Sequence, residues 1–200
     1  MASKIFDRIL LRGIRAGELP GRSEASRNWY RSRARNISQG QLTPDQVVQE
    51  TKDRQQKSPG YGDMYMFRYD PKHKNTLPFY DTFPLVFPIG PADGGFLGLN
   101  MHYLPPMLRA QLMDALYTTV SNDRLDDSTT LRISYDILKS ASKFNAFKPT
   151  VKHYLTRHVK SRFIYISPTE WDIALFLPTA RFVGGSKNEV YAASRRQLRG

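Results

Sequence analysis

The stretch MYMFRYDPKHKNTLPFYDTFPLVFPIGPADGGFLGLNMHYLPP, residues 64–106, decides how the chain folds. Its first six residues, Met64 to Tyr69, are aromatic-rich and unbroken, and Asp70-Pro71 bounds them, which reads as a strand. Phe83 to Ile89 reads as a second strand, which Pro84 and Pro88 confine to an edge or to short ladders. A third begins at Gly94-Gly95 and carries Phe96, Leu97, Leu99, Met101 and Tyr103. Short strands joined by loops of proline and glycine predict a small, strongly bent antiparallel sheet or a partly open barrel. Helical patterns on both sides of it make the fold class α+β, with helices surrounding the sheet.

Downstream, Pro105-Pro106 opens a helix on which Leu108, Leu112 and Leu116 stack at four-residue steps. Asn122 to Asp127 reads as a polar loop. Leu131 to Leu138 fits strand alternation and helical spacing alike, and is read as a short strand to Ser134 followed by a helix to Phe144. A helix is predicted from Pro149, with Val151, Tyr154, Leu155 and Val159 inward and Lys152, Arg157 and Lys160 outward. Arg162 to Ile166 reads as a strand. Ser167-Pro168-Thr169-Glu170 and Ser186 to Glu189 are capping boxes, each opening a helix, and the second leads to the basic tail Arg195, Arg196, Arg199.

Upstream, Lys4 to Ala16 is a short amphipathic helix that Gly17 and Pro20 stop. Ser23 to Asn36 is a second, on which Arg27, Arg31 and Arg35 line one face, with Arg33 to the side and Trp29 and Tyr30 beside them. Like charges at that spacing repel, and an anionic partner would relieve the repulsion. Thr43 to Gln46 is a further capping box, and Ser58 to Gly62 breaks the chain. The expected division is a basic helical arm at 1–58 and a compact domain at 59–200.

The 200 residues carry 30 lysines and arginines against 18 acids, a formal net charge of +12. The excess is uneven: residues 1–60 are net +6, 61–120 net −1 and 121–200 net +7. A neutral aromatic middle between basic flanks favours an anionic partner, either nucleic acid or an acidic protein surface, although a basic solvated surface has the same composition. There is no cysteine, so disulfides, thiolate nucleophiles and cysteine-built zinc sites are excluded. No apolar run approaches the ~20 residues of a membrane helix. Met1 to Leu11 lacks a secretory pattern, so a soluble, intracellular protein with no membrane partner is expected.

Catalytic groups do not converge in the sequence. His153 and His158 are off the spacing that puts two ligands on one helical face, His73 lies in a lysine-rich loop, and His102 has no acidic neighbour in sequence. Asp126-Asp127 lacks the alternation of a calcium loop, and Glu170 is accounted for as a cap residue. Gly94-Gly95-Phe96-Leu97-Gly98 opens no helix, so it is not a dinucleotide fingerprint. The expectation is a protein that is not an enzyme and has no cofactor, metal or catalytic residues.

WYRSRARNIS (29–38), the phrase from 64 to 90, GGFLGLNMHYLPP (94–106) and WDIALFLP (171–178) resemble a family of small proteins of large tailed phages, the T-even-like group. The resemblance spans about residues 29–182 and implies a virion-associated protein of the tail or baseplate hub, or of the head or DNA end. It brings no catalytic residues. Two readings follow. In the first, the protein is a structural component of a tailed-phage virion, in tail or baseplate assembly, and its basic arm binds neighbouring subunits. In the alternative it binds DNA non-specifically at the packaged genome or its ends, since no helix-turn-helix or zinc-finger pattern supports base reading. The candidate contact residues for either partner are Arg27, Trp29, Tyr30, Arg31, Arg33, Arg35, Arg195 and Arg196.

Overall fold

A computed structural model describes residues 4–20, 23–120, 136, 139 and 145–199. The loop expected at 122–127 and the strand and helix expected at 131–144 lie outside the described residues, apart from two isolated positions.

The 64–106 stretch builds the centre of a six-stranded sheet in the order β1-β7-β2-β4-β5-β6. These strands are β1 (Gln55–Gln56), β2 (Met64–Met66), β4 (Leu85–Ala92), β5 (Gly95–Asn100), β6 (Val151–Leu155) and β7 (Phe163–Ile166), and every neighbouring pair is antiparallel. β3 (Tyr80–Asp81) and β8 (Phe182–Val183) form a separate two-stranded ladder.

Alternation along β2 sends side chains to two buried faces. Met64 and Met66 join Leu85, Phe87, Leu99, Ile164 and Ile166 in the larger core, under the helices. Tyr65 and Phe67 point the other way, into a cluster with Tyr69, Val86, Phe96, Tyr154 and Phe163. In that cluster the Phe96 and Phe163 rings lie 5.9 Å apart. They sit on β5 and β7, three strand spacings apart, roughly 14 Å in a flat sheet. The sheet is therefore strongly curled around its aromatic face, and it stays open, since β1 and β6 are its two edges.

One expectation is narrowed and another changes. β4 is central, so of the two outcomes expected from its prolines, an edge or short ladders, the short ladder is the one found, on its β2 side. Its prolines escape the conflict because β2 pairs only with Leu85 and Val86, and the register to β5 shifts between Pro88 and Gly90. The helix expected from Pro149 is instead a turn at 145–150 followed by edge strand β6, paired with β5 from Val151 to Leu155. Val151, Tyr154 and Leu155 satisfy helical spacing, but β5 offers them a ladder, and tertiary pairing decides.

Among the described residues the continuous α-helices are α1 (Ile5–Arg15), α2 (Glu24–Arg35), α3 (Pro44–Glu50), α4 (Pro106–Val120), α5 (Trp171–Phe176) and α6 (Lys187–Arg199). Capping oxygens begin α2 and α3: Ser23 accepts from Ser26 N–H at 3.1 Å and Thr43 from Gln46 N–H at 3.2 Å. α1 sends Ile5, Phe6 and Ile9 into the larger core. Gly13 lets α1 meet α2, because a Cβ there would stand 2.1 Å from the Tyr30 hydroxyl. β1 lies in the main sheet and Arg54 pairs with Glu170 at 2.5 Å, so the 1–58 segment shares the core and the sheet of the rest. Trp171 packs edge-on against Phe87 at 5.2 Å and donates its indole N–H to the Ile166 carbonyl. Among the described residues no helix is long and apolar enough to cross a membrane.

Candidate functional site

A groove of about 720 Å³ opens beside the curled sheet. One wall is the loop carrying Pro71, Lys72, His73, Leu77 and Phe79, together with β3. The other is β6 with the turn after it, Val151 to Leu155 and Arg157. Gly95 allows this wall to form. A Cβ there would stand 1.8 Å from the Tyr154 carbonyl oxygen, so any side chain would push β6 off β5.

The groove is basic and aromatic. Lys72, Lys152 and Arg157 line it with His73 and His153, against an exposed Asp93 and a buried Asp81. The three lysine and arginine side chains make no ion pair with the described residues. Phe79 and Tyr80, both half-buried, supply ring surface, and the buried Tyr69, Tyr103 and Tyr154 also line it. Lys152 is the inner cation, with Nζ 4.1 Å from the Tyr103 ring centroid. Burial pushes its ammonium down to about 8, because desolvation disfavours the charged form. An anion placed there would stabilise the charged form.

The floor is a closed polar network. Asp81 Oδ1 accepts from the backbone N–H of Phe83 and Arg181, and Oδ2 accepts from His102 Nδ1 at 2.5 Å and Asn100 Nδ2 at 3.3 Å. Asn100 Nδ2 also donates to the Tyr154 hydroxyl at 3.0 Å. Burial works to raise the Asp81 carboxyl, but the His102 ring and the backbone donors hold it below its ordinary value. Burial also keeps His102 below the ordinary histidine range, against the pull of Asp81. His102 has no acid near it in sequence, and the fold supplies one by bringing Asp81 to it from 21 residues away. Thr179 Oγ1 lies 3.3 Å from His102 Nε2, the connectivity of a hydrolytic triad. Thr179, His102 and Asp81 are all buried, so Thr179 has no surface to offer a substrate, and the set anchors the groove floor. Among the described residues no cluster of three or more His, Cys, Asp or Glu side chains could hold a metal.

The sequence-predicted contact residues divide. Arg31 is buried: Nε donates to Asp172 Oδ1 at 2.7 Å and Nη2 to Asp114 Oδ1 at 2.7 Å. Arg27 donates to the same Asp114 oxygen at 3.0 Å. Tyr30 is buried too, and its hydroxyl donates to the Glu18 carbonyl at 2.9 Å. The face read as waiting for an anion is thus largely covered by α4 and α5, whose carboxylates relieve the arginine repulsion within the fold. Arg33 and Arg35 remain exposed, stacked over Trp29 at 5.0 Å and Phe176 at 5.2 Å. Arg195 and Arg196 are exposed on α6, which packs on the turns at 101–103 and 145–150, whereas α2 packs on α5. The groove cations were missed because Lys152 and Arg157 were assigned to the outside of a helix. The signal available was the pairing of two basic segments, 72–74 and 152–160, each beside aromatic residues.

The profile of the family described as phage T4 terminal DNA protecting protein matches residues 26–198. No curated protein and no solved structure matches the chain. The matched family is of phage origin, as the resemblance implied, and its description concerns DNA termini. That favours the genome-end alternative over the tail or baseplate reading. α1 precedes the matched segment.

Proposed function

The chain belongs to the phage T4 terminal DNA protecting protein family, and from that premise we propose that it binds the termini of linear duplex DNA without sequence preference, as a non-enzymatic protein of the virion. One observation carries the reading: the groove gathers Lys72, Lys152 and Arg157, unpaired among the described residues, beside the half-buried rings of Phe79 and Tyr80. Cations that track phosphates and rings that stack on bases are the chemistry of sequence-tolerant nucleic-acid contact. The +12 charge and the exposed Arg33, Arg35, Arg195 and Arg196 add long-range attraction. Reading base edges needs an element that enters a groove of the duplex, and the sequence carries no helix-turn-helix or zinc-finger pattern, which supports contact through backbone and ends. Exposed Leu11, Ile14 and Leu19 on and after α1 support additional docking on a neighbouring virion protein.

The test is competition between a linear duplex and a covalently closed circle of the same sequence for the full-length protein. The linear form should compete far better per molecule, and neither should be cut in the presence of magnesium. Equal competition would remove the terminus from the account, and magnesium-dependent cleavage would remove the non-enzymatic part.

A further inference from the structure

The groove and the rest of the basic surface differ in shape, and shape restricts what each can hold. Arg33, Arg35, Arg195 and Arg196 stand on exposed helix surface that a duplex can lie against. Lys152 does not. It sits at the inner wall, half-buried against Tyr103, where the phosphates of an intact duplex could not follow. A space of about 720 Å³ falls within the range of small-ligand pockets and is far too small for a base-paired helix.

We propose that this groove receives an unpaired nucleotide at a DNA end, with Lys152 bound to its phosphate and the rings of Phe79 and Tyr80 offered to its base. The assignment rests on the reading of the protein as a DNA-terminus binder. Three features of the groove lead to it. Lys152 bears the cost of desolvation with no carboxylate among the described residues to offset it, and a phosphate supplies that partner. Phe79 and Tyr80, both half-buried, present ring surface on the wall opposite β6, with Leu77 exposed beside them. The polar floor is already committed: both Asp81 oxygens, the Asn100 amide and His153 Nε2, which donates to the Asp93 carbonyl at 2.8 Å, have partners inside the protein. A floor whose carboxylate and amide are already bonded inside the protein gives little selection among bases. Lys72 and Arg157 at the rim are placed to meet the next phosphates as the strand leaves.

The experiment measures binding of the full-length protein to a blunt hairpin duplex and to the same hairpin with a short unpaired tail of thymine or of adenine. The tailed hairpins should bind about ten-fold tighter than the blunt one, with the two tails nearly equal, since stacking tolerates any base. Lys152→Gln should reduce the tail advantage to under about two-fold, losing more affinity for the tailed hairpins than for the blunt one, because the unpaired nucleotide's phosphate loses its partner. Arg157→Gln, at the exposed rim, gives a second variant that does not disturb the interior and should lower the tail advantage part of the way. Equal binding of tailed and blunt hairpins by the unaltered protein would overturn the assignment. So would a parallel loss on both substrates in Lys152→Gln, or free thymidine monophosphate binding as tightly as the tail. A closed circle competing as well as linear DNA would instead overturn the terminus reading, and that result is independent of the comparison between tail and blunt end.

Discussion

Arg31 Nε lies 2.7 Å from Asp172 Oδ1, with Arg31 at 5% exposure and Asp172 at 2%. This pair ties α2 to α5, and through Asp114 also to α4, so an arginine that in sequence belongs to a basic face is part of the interior. It separates the arginines of α2 into those that build the fold and those left to meet a partner.

Arg31→Met should therefore cost stability and leave DNA binding unchanged. Removing one member of a buried pair leaves a desolvated carboxylate, which typically costs about 3 kcal/mol or more. The double change Arg31→Met with Asp172→Leu should recover most of that loss. Chemical denaturation checks both, and a single change without effect would mean that the pair is not desolvated in solution. Arg33→Gln with Arg35→Gln should do the reverse, leaving stability within about 0.5 kcal/mol and weakening DNA binding.

The segment 1–58 was expected to be an arm that orders against a partner. Phe6, Tyr30, Ala34 and Val47 are instead fully buried in the same core as Met64 and Met66. Hydrogen exchange of the isolated protein should therefore protect the amides of 27–34 nearly as well as those of 64–66. Rapid exchange of α2 with a protected β2 would restore the arm.

Lys152 should make end binding depend on pH. Its ammonium is held at about 8 in the free protein, so a bound phosphate must retain or recover the proton. Affinity for a tailed DNA end should fall as pH rises from 7 to 9, and Lys152→Gln should flatten the profile. Burial raises the phenols of Tyr103 and Tyr154, so neither ionises in that window. The effect on stability has the opposite sign. Because the folded value lies below the unfolded 10.5, the unfolded chain holds more protons between the two values, and stability contributed by this group rises with pH there. A binding profile identical in the unaltered protein and Lys152→Gln would show that Lys152 does not meet the DNA.

Local chemistry was legible in the sequence, and long-range chemistry was not. Capping oxygens at Ser23 and Thr43, and the boxes at Ser167 and Ser186, mark helix or turn starts because a side chain there bonds backbone only three residues on. The unbroken aromatic run from Met64 likewise marks a strand, and the structure shows it buried on both faces. Arg27, Arg31 and Arg35 do lie along α2, but whether that face meets solvent or carboxylates depends on Asp114 and Asp172, far along the chain. The same holds for His102, in the turn after β5, whose partner Asp81 comes from β3, and for the groove, whose walls meet only when Gly95 admits β6. Val151 to Leu155 misled because its apolar spacing fits a helix as well as the edge strand that β5 stabilises.

The most direct test of the central claim is resistance of linear DNA to digestion from its ends. A linear duplex would be saturated with the full-length protein and exposed to a processive exonuclease, beside a nicked circle exposed to the same enzyme. The account predicts that the linear DNA survives with the protein bound, that the nicked circle is degraded at its naked rate, and that Lys72→Gln with Lys152→Gln and Arg157→Gln removes the protection. Digestion of the protein-bound linear DNA at the naked rate would contradict the account, as would equal protection of the nicked circle.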